Sequence, residues 1–84
     1  MSATFPDMIG RLEAKLKSSN ASFKNIRLGE ALHDAYNSYY LQFEPDQLED
    51  KILNDLYRQW PDLADFEGDL KPVVQEMIKE QSDQ

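Results

Sequence analysis

The sequence predicts an all-α fold, a compact bundle or orthogonal array of about four short helices. Three observations support this. Apolar residues recur at three- and four-residue steps in four separate segments. No segment keeps the strict apolar–polar alternation of a half-buried strand for long. The connections are short, and 84 residues leave room for one core, so we expect a single helical domain over residues 1–84.

The first two helices flank a polar connector. The first is predicted over residues 5–17, because Thr4 can cap its N-terminus and Pro6 fits the first turn, where a missing N–H group is harmless. The second is predicted over residues 27–41, with Asn25 as its cap. A short extended segment in the connector is the main alternative, since apolar and polar residues alternate there briefly.

The third helix has the clearest start signal in the chain. Glu44, Pro45 and Asp46 place a proline at the first helical position and acids in the first turn. The helix should end near Gln59, ahead of Pro61. Its apolar residues spread over about 180° of the helical wheel, which is wider than a surface helix needs. Such a helix is either central in the fold or presents a second apolar face to a partner.

The last part of the chain is predicted as a loop and a fourth helix. The loop, residues 61–69, is acidic, with Leu63 and Phe66 turned inward over the core. Its last residue then caps a helix over residues 70–79, whose apolar side chains recur at helical spacing. Residues 80–84 are expected to fray.

The residues of this chain do not support a catalytic or metal site. The single histidine, His33, lies one turn from Glu30, but a di-iron bundle needs a second histidine. An EF-hand template aligned on Gly68 puts Leu63 and Val74 at positions that require oxygen ligands. Neither a nucleophile elbow nor a glycine-rich phosphate loop is present in the sequence. We therefore predict no enzyme activity, no cofactor and no metal.

Charge is unevenly distributed along the chain, whose formal net charge is −7. Residues 1–27 hold five bases and two acids, whereas residues 28–84 hold four bases and fourteen acids. An acidic chain repels nucleic-acid phosphates and anionic lipid, so neither nucleic acid nor a membrane is expected as a direct partner. The predicted acidic face comprises Glu44, Asp46, Glu49, Asp50, Asp62 and Asp65.

The composition also indicates where in the cell the protein is located. The chain has no cysteine, which excludes a disulfide framework. It has no apolar run of about eighteen residues, and its N-terminus lacks the basic and apolar regions of a signal peptide. We therefore expect a cytoplasmic protein.

Aromatic side chains supply a candidate contact surface. Tyrosine and tryptophan are enriched in binding hot spots because each offers a large apolar face and a polar tip. Residues at the centre of the predicted apolar stripes, such as Tyr36 and Tyr39, are expected to fill the core. The predicted partner-binding residues lie at or beyond the stripe edges and on the broad third helix: Tyr40, Leu41, Leu53, Tyr57 and Trp60.

The segment of residues 26–32 reads Ile-Arg-Leu-Gly-Glu-Ala-Leu, and Ala35 and Tyr36 follow it. It resembles a pattern in short uncharacterised bacterial and phage proteins, in which Arg-Leu-Gly-Gln starts a helix near the middle of the chain. Here Glu30 stands where that pattern has glutamine. The resemblance implies an accessory protein of unassigned function, and it transfers no catalytic or binding residue.

Two functions fit these features. The favoured one is a non-enzymatic module that binds another protein, or a second copy of itself as a homodimer, through its aromatic and apolar helical surface. The alternative is an acidic inhibitor or nucleic-acid mimic, of phage or plasmid origin, that blocks a basic target. Salt distinguishes them, since a complex held by charge weakens steeply with ionic strength and an apolar interface does not.

Overall fold

The computed structural model describes residues 4–82 and confirms the predicted all-α fold. Within this range the structure contains no strand, and its Cα radius of gyration is 12.3 Å, close to the roughly 12 Å expected of a folded chain of this length. Two 3₁₀ turns, Ala21–Phe23 and Pro61–Phe66, connect the helices. The helices are α1 (Phe5–Ser19), α2 (Leu28–Tyr39), α3 (Pro45–Gln59) and α4 (Glu67–Ser82).

Each of the four helices packs against two others. α3 packs against α2 and α4, and α1 packs against the same two helices. The α3 residues Leu48, Ile52, Leu53 and Leu56 are all buried. Most of the broad apolar arc seen in the sequence is therefore packed inside the chain, against α2 and α4.

One hydrophobic core joins the helices and the 3₁₀ turns. Leu16 of α1, Leu32 of α2, Leu63 of the second turn and Val74 of α4 are completely inaccessible to solvent. No polar or charged residue is buried within residues 4–82. The fold is thus stabilised mainly by apolar burial, with its charged side chains left at the surface or partly exposed.

Local signals explain where α1 and α3 begin, and both predicted starts are confirmed. The hydroxyl of Thr4 accepts a hydrogen bond from the backbone N–H of Asp7 at 3.4 Å, with Pro6 in the first turn. At α3, the side-chain oxygen of Gln47 accepts a hydrogen bond from the backbone N–H of Glu44 at 3.3 Å. Each contact ties the residue before the helix to its first turn.

The start of α2 is stabilised by a distant residue, and the prediction of Asn25 as its cap is wrong. The residue before the helix is Arg27, whose side chain makes no capping hydrogen bond. Instead, the carboxylate of Glu13 on α1 accepts a hydrogen bond from the backbone N–H of Leu28 at 3.0 Å. An acid of one helix therefore caps the positive end of another. The extended segment considered for residues 23–28 does not form.

α4 begins earlier than predicted. The segment expected to be an acidic loop forms the 3₁₀ turn Pro61–Phe66 and leads directly into the helix at Glu67. Asp69 therefore lies inside the helix and is not its cap. The helix continues to Ser82, although fraying was predicted for the last five residues; the final two lie outside the described range.

Removal of the Glu13 carboxylate should destabilise the protein through α2. We expect Glu13→Ala to lower the free energy of unfolding by about 1–2 kcal/mol, because a part-buried N–H group loses its acceptor. Urea unfolding followed by circular dichroism measures this. Lys17→Ala is the control, since it removes only the ion pair that Glu13 also makes, at 3.1 Å. Equal losses in the two variants would contradict the capping role.

Gly10 offers a stabilising substitution. It lies inside α1, and a Cβ atom added there meets no other atom within 4 Å. Gly10→Ala should raise the free energy of unfolding by about 0.5–1 kcal/mol, because alanine loses less backbone entropy in a helix than glycine does. Thermal unfolding measures the change, and Ala14→Gly at another exposed position of α1 should produce the opposite shift. A less stable Gly10→Ala variant would show that this face of α1 is not open.

Candidate protein-binding surface

The exposed apolar side chains lie at the end of α2. Among the described residues, only two large hydrophobic side chains are exposed: Tyr40 at 44% and Leu41 at 82%. α2 ends at Tyr39, two residues earlier than predicted, so both belong to the turn that leads to α3. The backbone N–H of Tyr40 still donates to the carbonyl oxygen of Tyr36 at 2.8 Å. Beyond it the chain leaves the helix, and Leu41 packs against little of the protein.

A second tyrosine orders Tyr40. The rings of Tyr36 and Tyr40 are stacked, with centroids 5.3 Å apart and planes 9° from parallel. Tyr36 was expected in the core but is half-buried. The four-residue spacing of the two tyrosines in the sequence was the signal for this pair. Stacking fixes an exposed side chain and so lowers the entropy that a partner's binding would cost. We call Tyr36, Tyr40 and Leu41 the aromatic corner.

The turn that carries the aromatic corner is fastened to α3. The rings of Tyr39 and Phe43 lie 6.0 Å apart, and the ammonium group of Lys51 lies 4.8 Å from the centroid of the Phe43 ring. The Tyr39 hydroxyl donates to the carboxylate of Asp55 at 3.3 Å, and Arg58 donates to the same oxygen at 2.8 Å. The corner is therefore presented on a braced turn between two packed helices.

Negative charge dominates the part of the chain around the aromatic corner. Residues 28–50, which cover α2, the turn and the start of α3, contain six acids and no lysine or arginine. The next residue, Lys51, is the base that contacts the Phe43 ring of the turn. Glu44 and Asp46 follow the corner closely in the chain, and both are exposed. Within residues 4–82, neither of them makes an ion pair. Their charge is thus available to a partner.

The six residues of the predicted acidic face form two groups. The first lies at the start of α3: Glu44, Asp46, Glu49 and Asp50. Asp62 and Asp65 lie beyond the other end of this helix, whose 15 residues span about 22 Å. Asp62 also accepts hydrogen bonds from the side chains of Asn20 at 3.1 Å and Ser22 at 3.3 Å. The acids therefore occupy opposite ends of α3.

Three other predicted contact residues lie away from the aromatic corner. Leu53 belongs to the core, with only 4% of its surface exposed. Leu53 therefore offers almost no exposed surface to a partner in this structure, because α3 packs it into the core. Tyr57 and Trp60 are half-buried and pack against the core. Trp60 also lines a polar cavity of about 270 Å³ that it shares with Arg27 and Asp34.

His33 has a packing role in the structure. Its ring meets the ring of Phe5 edge-on, with centroids 5.6 Å apart. Within residues 4–82, no three His, Cys, Asp or Glu side chains are grouped so that they could hold a metal ion. None of the helices in this range combines the length and the apolar character needed to cross a bilayer.

The chain matches no protein-family model, no curated protein and no solved structure. The resemblance of residues 26–36 to short bacterial and phage proteins stays a prediction.

Tyr57 carries an unpaired polar atom. Its hydroxyl is buried and has no hydrogen-bond partner among the described residues. Burial, and secondly the negative charge of Glu67, raises the pKa of this phenol above its ordinary value of 10.0. The folded state therefore holds the proton more tightly than the unfolded state does. The resulting contribution to stability is complete below pH 10.0 and falls as the pH rises through the raised pKa.

Tyr57→Phe should stabilise the protein. At about pH 7 we expect a gain of roughly 1 kcal/mol in the free energy of unfolding, because an unpaired buried hydroxyl is removed. The gain should increase above about pH 10, since the variant lacks the phenol whose ionisation opposes folding. Urea unfolding at both pH values measures this. Tyr39→Phe is the control and should destabilise, because its hydroxyl is hydrogen-bonded; a loss of stability in Tyr57→Phe would indicate a partner for that hydroxyl.

Proposed function

We propose that the chain is a small non-enzymatic module that binds another protein through the aromatic corner. The observation that carries this proposal is the 82% exposure of Leu41 beside two stacked tyrosine rings. A lone exposed leucine is common on protein surfaces. Here it adjoins ordered aromatic side chains, and such clusters are the usual anchors of protein interfaces.

The position of the corner supports this role. A binding site works best where its side chains are fixed before the partner arrives. The contacts of Tyr39 with Asp55 and with Arg58 hold the end of α2 against α3. The corner therefore needs little rearrangement to bind, and its two exposed side chains, Tyr40 and Leu41, contribute little to the core.

A second copy of the chain is a weaker candidate for the partner. A symmetric contact at the corner would bring Glu44 and Asp46 of the two copies near one another, and like charges oppose such an interface. An acidic inhibitor or nucleic-acid mimic needs one continuous acidic surface. The predicted acidic face is instead divided between the two ends of α3, which does not favour this function.

We place the action of the module in the cytoplasm, with neither nucleic acid nor a membrane as its direct partner.

Substitution of the aromatic corner should abolish partner binding and leave the fold intact. A photo-crosslinking amino acid at Gln42, introduced in cells that produce the chain, should trap a partner. The double variant Tyr40→Ser and Leu41→Ser should reduce the yield by about tenfold or more, because truncation of a hot spot costs about 2 kcal/mol or more. Circular dichroism should show unchanged helix content.

The matched control is Asn54→Ser and Gln75→Ser, which changes two exposed residues on α3 and α4. It should leave the cross-linking unchanged. An equal yield from the parent and the corner variant would overturn the proposal. Light scattering tests self-association. A dimer of the parent chain that becomes a monomer in the corner variant would show that the partner is a second copy of the chain and not another protein.

A further inference from the structure

We infer that the partner of the aromatic corner is a basic segment of another protein, in which lysine or arginine residues flank a large apolar side chain. This inference rests on the proposed function, because it specifies the chemistry that the same surface would recognise. It depends on two independent observations, the distribution of exposed apolar surface and the distribution of unpaired acids.

Of the nine described acids outside residues 28–50, four make an ion pair with a base of the chain. Lys15 lies 2.6 Å from Asp69, and Lys71 lies 3.3 Å from Glu67. Asp55 is paired with Arg58 at 2.8 Å. These carboxylates are already satisfied within the chain, and they have less to offer a cationic partner.

The acids around the aromatic corner differ in this respect. Glu30 pairs with Arg27 at 3.6 Å, at the far end of α2. Glu44, Asp46 and Asp50, which follow the corner in the chain, make no ion pair within residues 4–82, and all three are exposed. Residues 28–50 hold five of the ten unpaired acids of the described residues, so unpaired acids are denser in the part of the chain that also exposes its apolar side chains.

This combination selects the charge of the partner. An acidic segment would be repelled, whereas a basic one would be attracted at long range and then held by contact with Leu41. Tyr40 can take part in both the apolar and the charged contacts, since its exposed ring can contact an apolar side chain or a lysine or arginine cation. Neither the acids alone nor the apolar residues alone would give this selectivity.

Three synthetic peptides of equal length test the inference against the full chain. One combines lysine with leucine, the second replaces lysine by glutamate, and the third replaces leucine by serine. The lysine–leucine peptide should bind and shift the NMR amide signals of residues 36–46. The glutamate–leucine peptide should show no binding, and the lysine–serine peptide should bind about tenfold more weakly or worse. Equal binding of the lysine and glutamate peptides would overturn the inference.

Charge variants separate a local effect from the net charge of the chain. Glu44→Gln with Asp46→Asn removes two acids near the corner, and Asp62→Asn with Asp65→Asn removes two at the other end of α3. At low salt the first pair should weaken binding of the lysine–leucine peptide by about five- to tenfold, and the second by less than about twofold. Circular dichroism checks that α3 remains folded. Equal effects of the two pairs would show attraction by net charge only and would overturn the inference.

The inference and the proposed function can fail separately. Absence of lysine–leucine binding at residues 36–46, with cross-linking from Gln42 that still depends on Tyr40 and Leu41, would overturn the inference alone. Cross-linking that is independent of Tyr40 and Leu41 would overturn the proposed function, and the inference with it.

Discussion

The packing of α3 against both α2 and α4 is the constraint on which the rest of the structure depends. A chain of 84 residues without cysteine has to stabilise its fold mainly by apolar burial. α3 meets this need by burying Leu48, Ile52, Leu53 and Leu56, and a fully buried side chain of this kind contributes roughly 1.5–3 kcal/mol. Among the described residues, the large apolar side chains that remain exposed are Tyr40 and Leu41, in the turn that precedes this helix.

The sequence was most informative where a signal and its effect lie within one helical turn. Thr4 and Glu44 mark helix starts because their contacts reach only three residues along the chain. The cap of α2 could not be found in this way, because its acceptor, Glu13, lies fifteen residues away from Leu28. Leu53 was expected to contact a partner, and its burial in the core was missed for a related reason. The width of an apolar arc predicts that a helix is contacted on two sides, but it does not show whether the contacting residues belong to the same chain.

The candidate surface was predictable in part. Tyr40 and Leu41 stood out because they lie at or beyond the edge of the apolar stripe of α2, and these two residues are exposed. The acidic face was less accessible to sequence reasoning. Glu44 and Asp62 belong to one acid-rich region of the sequence, but they flank the two ends of α3, and a straight helix of this length places its ends about 22 Å apart. Acids that are near one another in the sequence are therefore far apart in the structure.

The acids near the aromatic corner act on the free protein as well as on any complex. An exposed leucine beside two tyrosines favours association between copies, since burial of apolar surface is favourable whatever the partner. Glu44 and Asp46 oppose this, because every second copy brings the same negative charge to the contact. A basic partner meets no such repulsion. Under the proposed function, the same carboxylates would keep the apolar surface available in the free chain and would determine which kind of protein covers it.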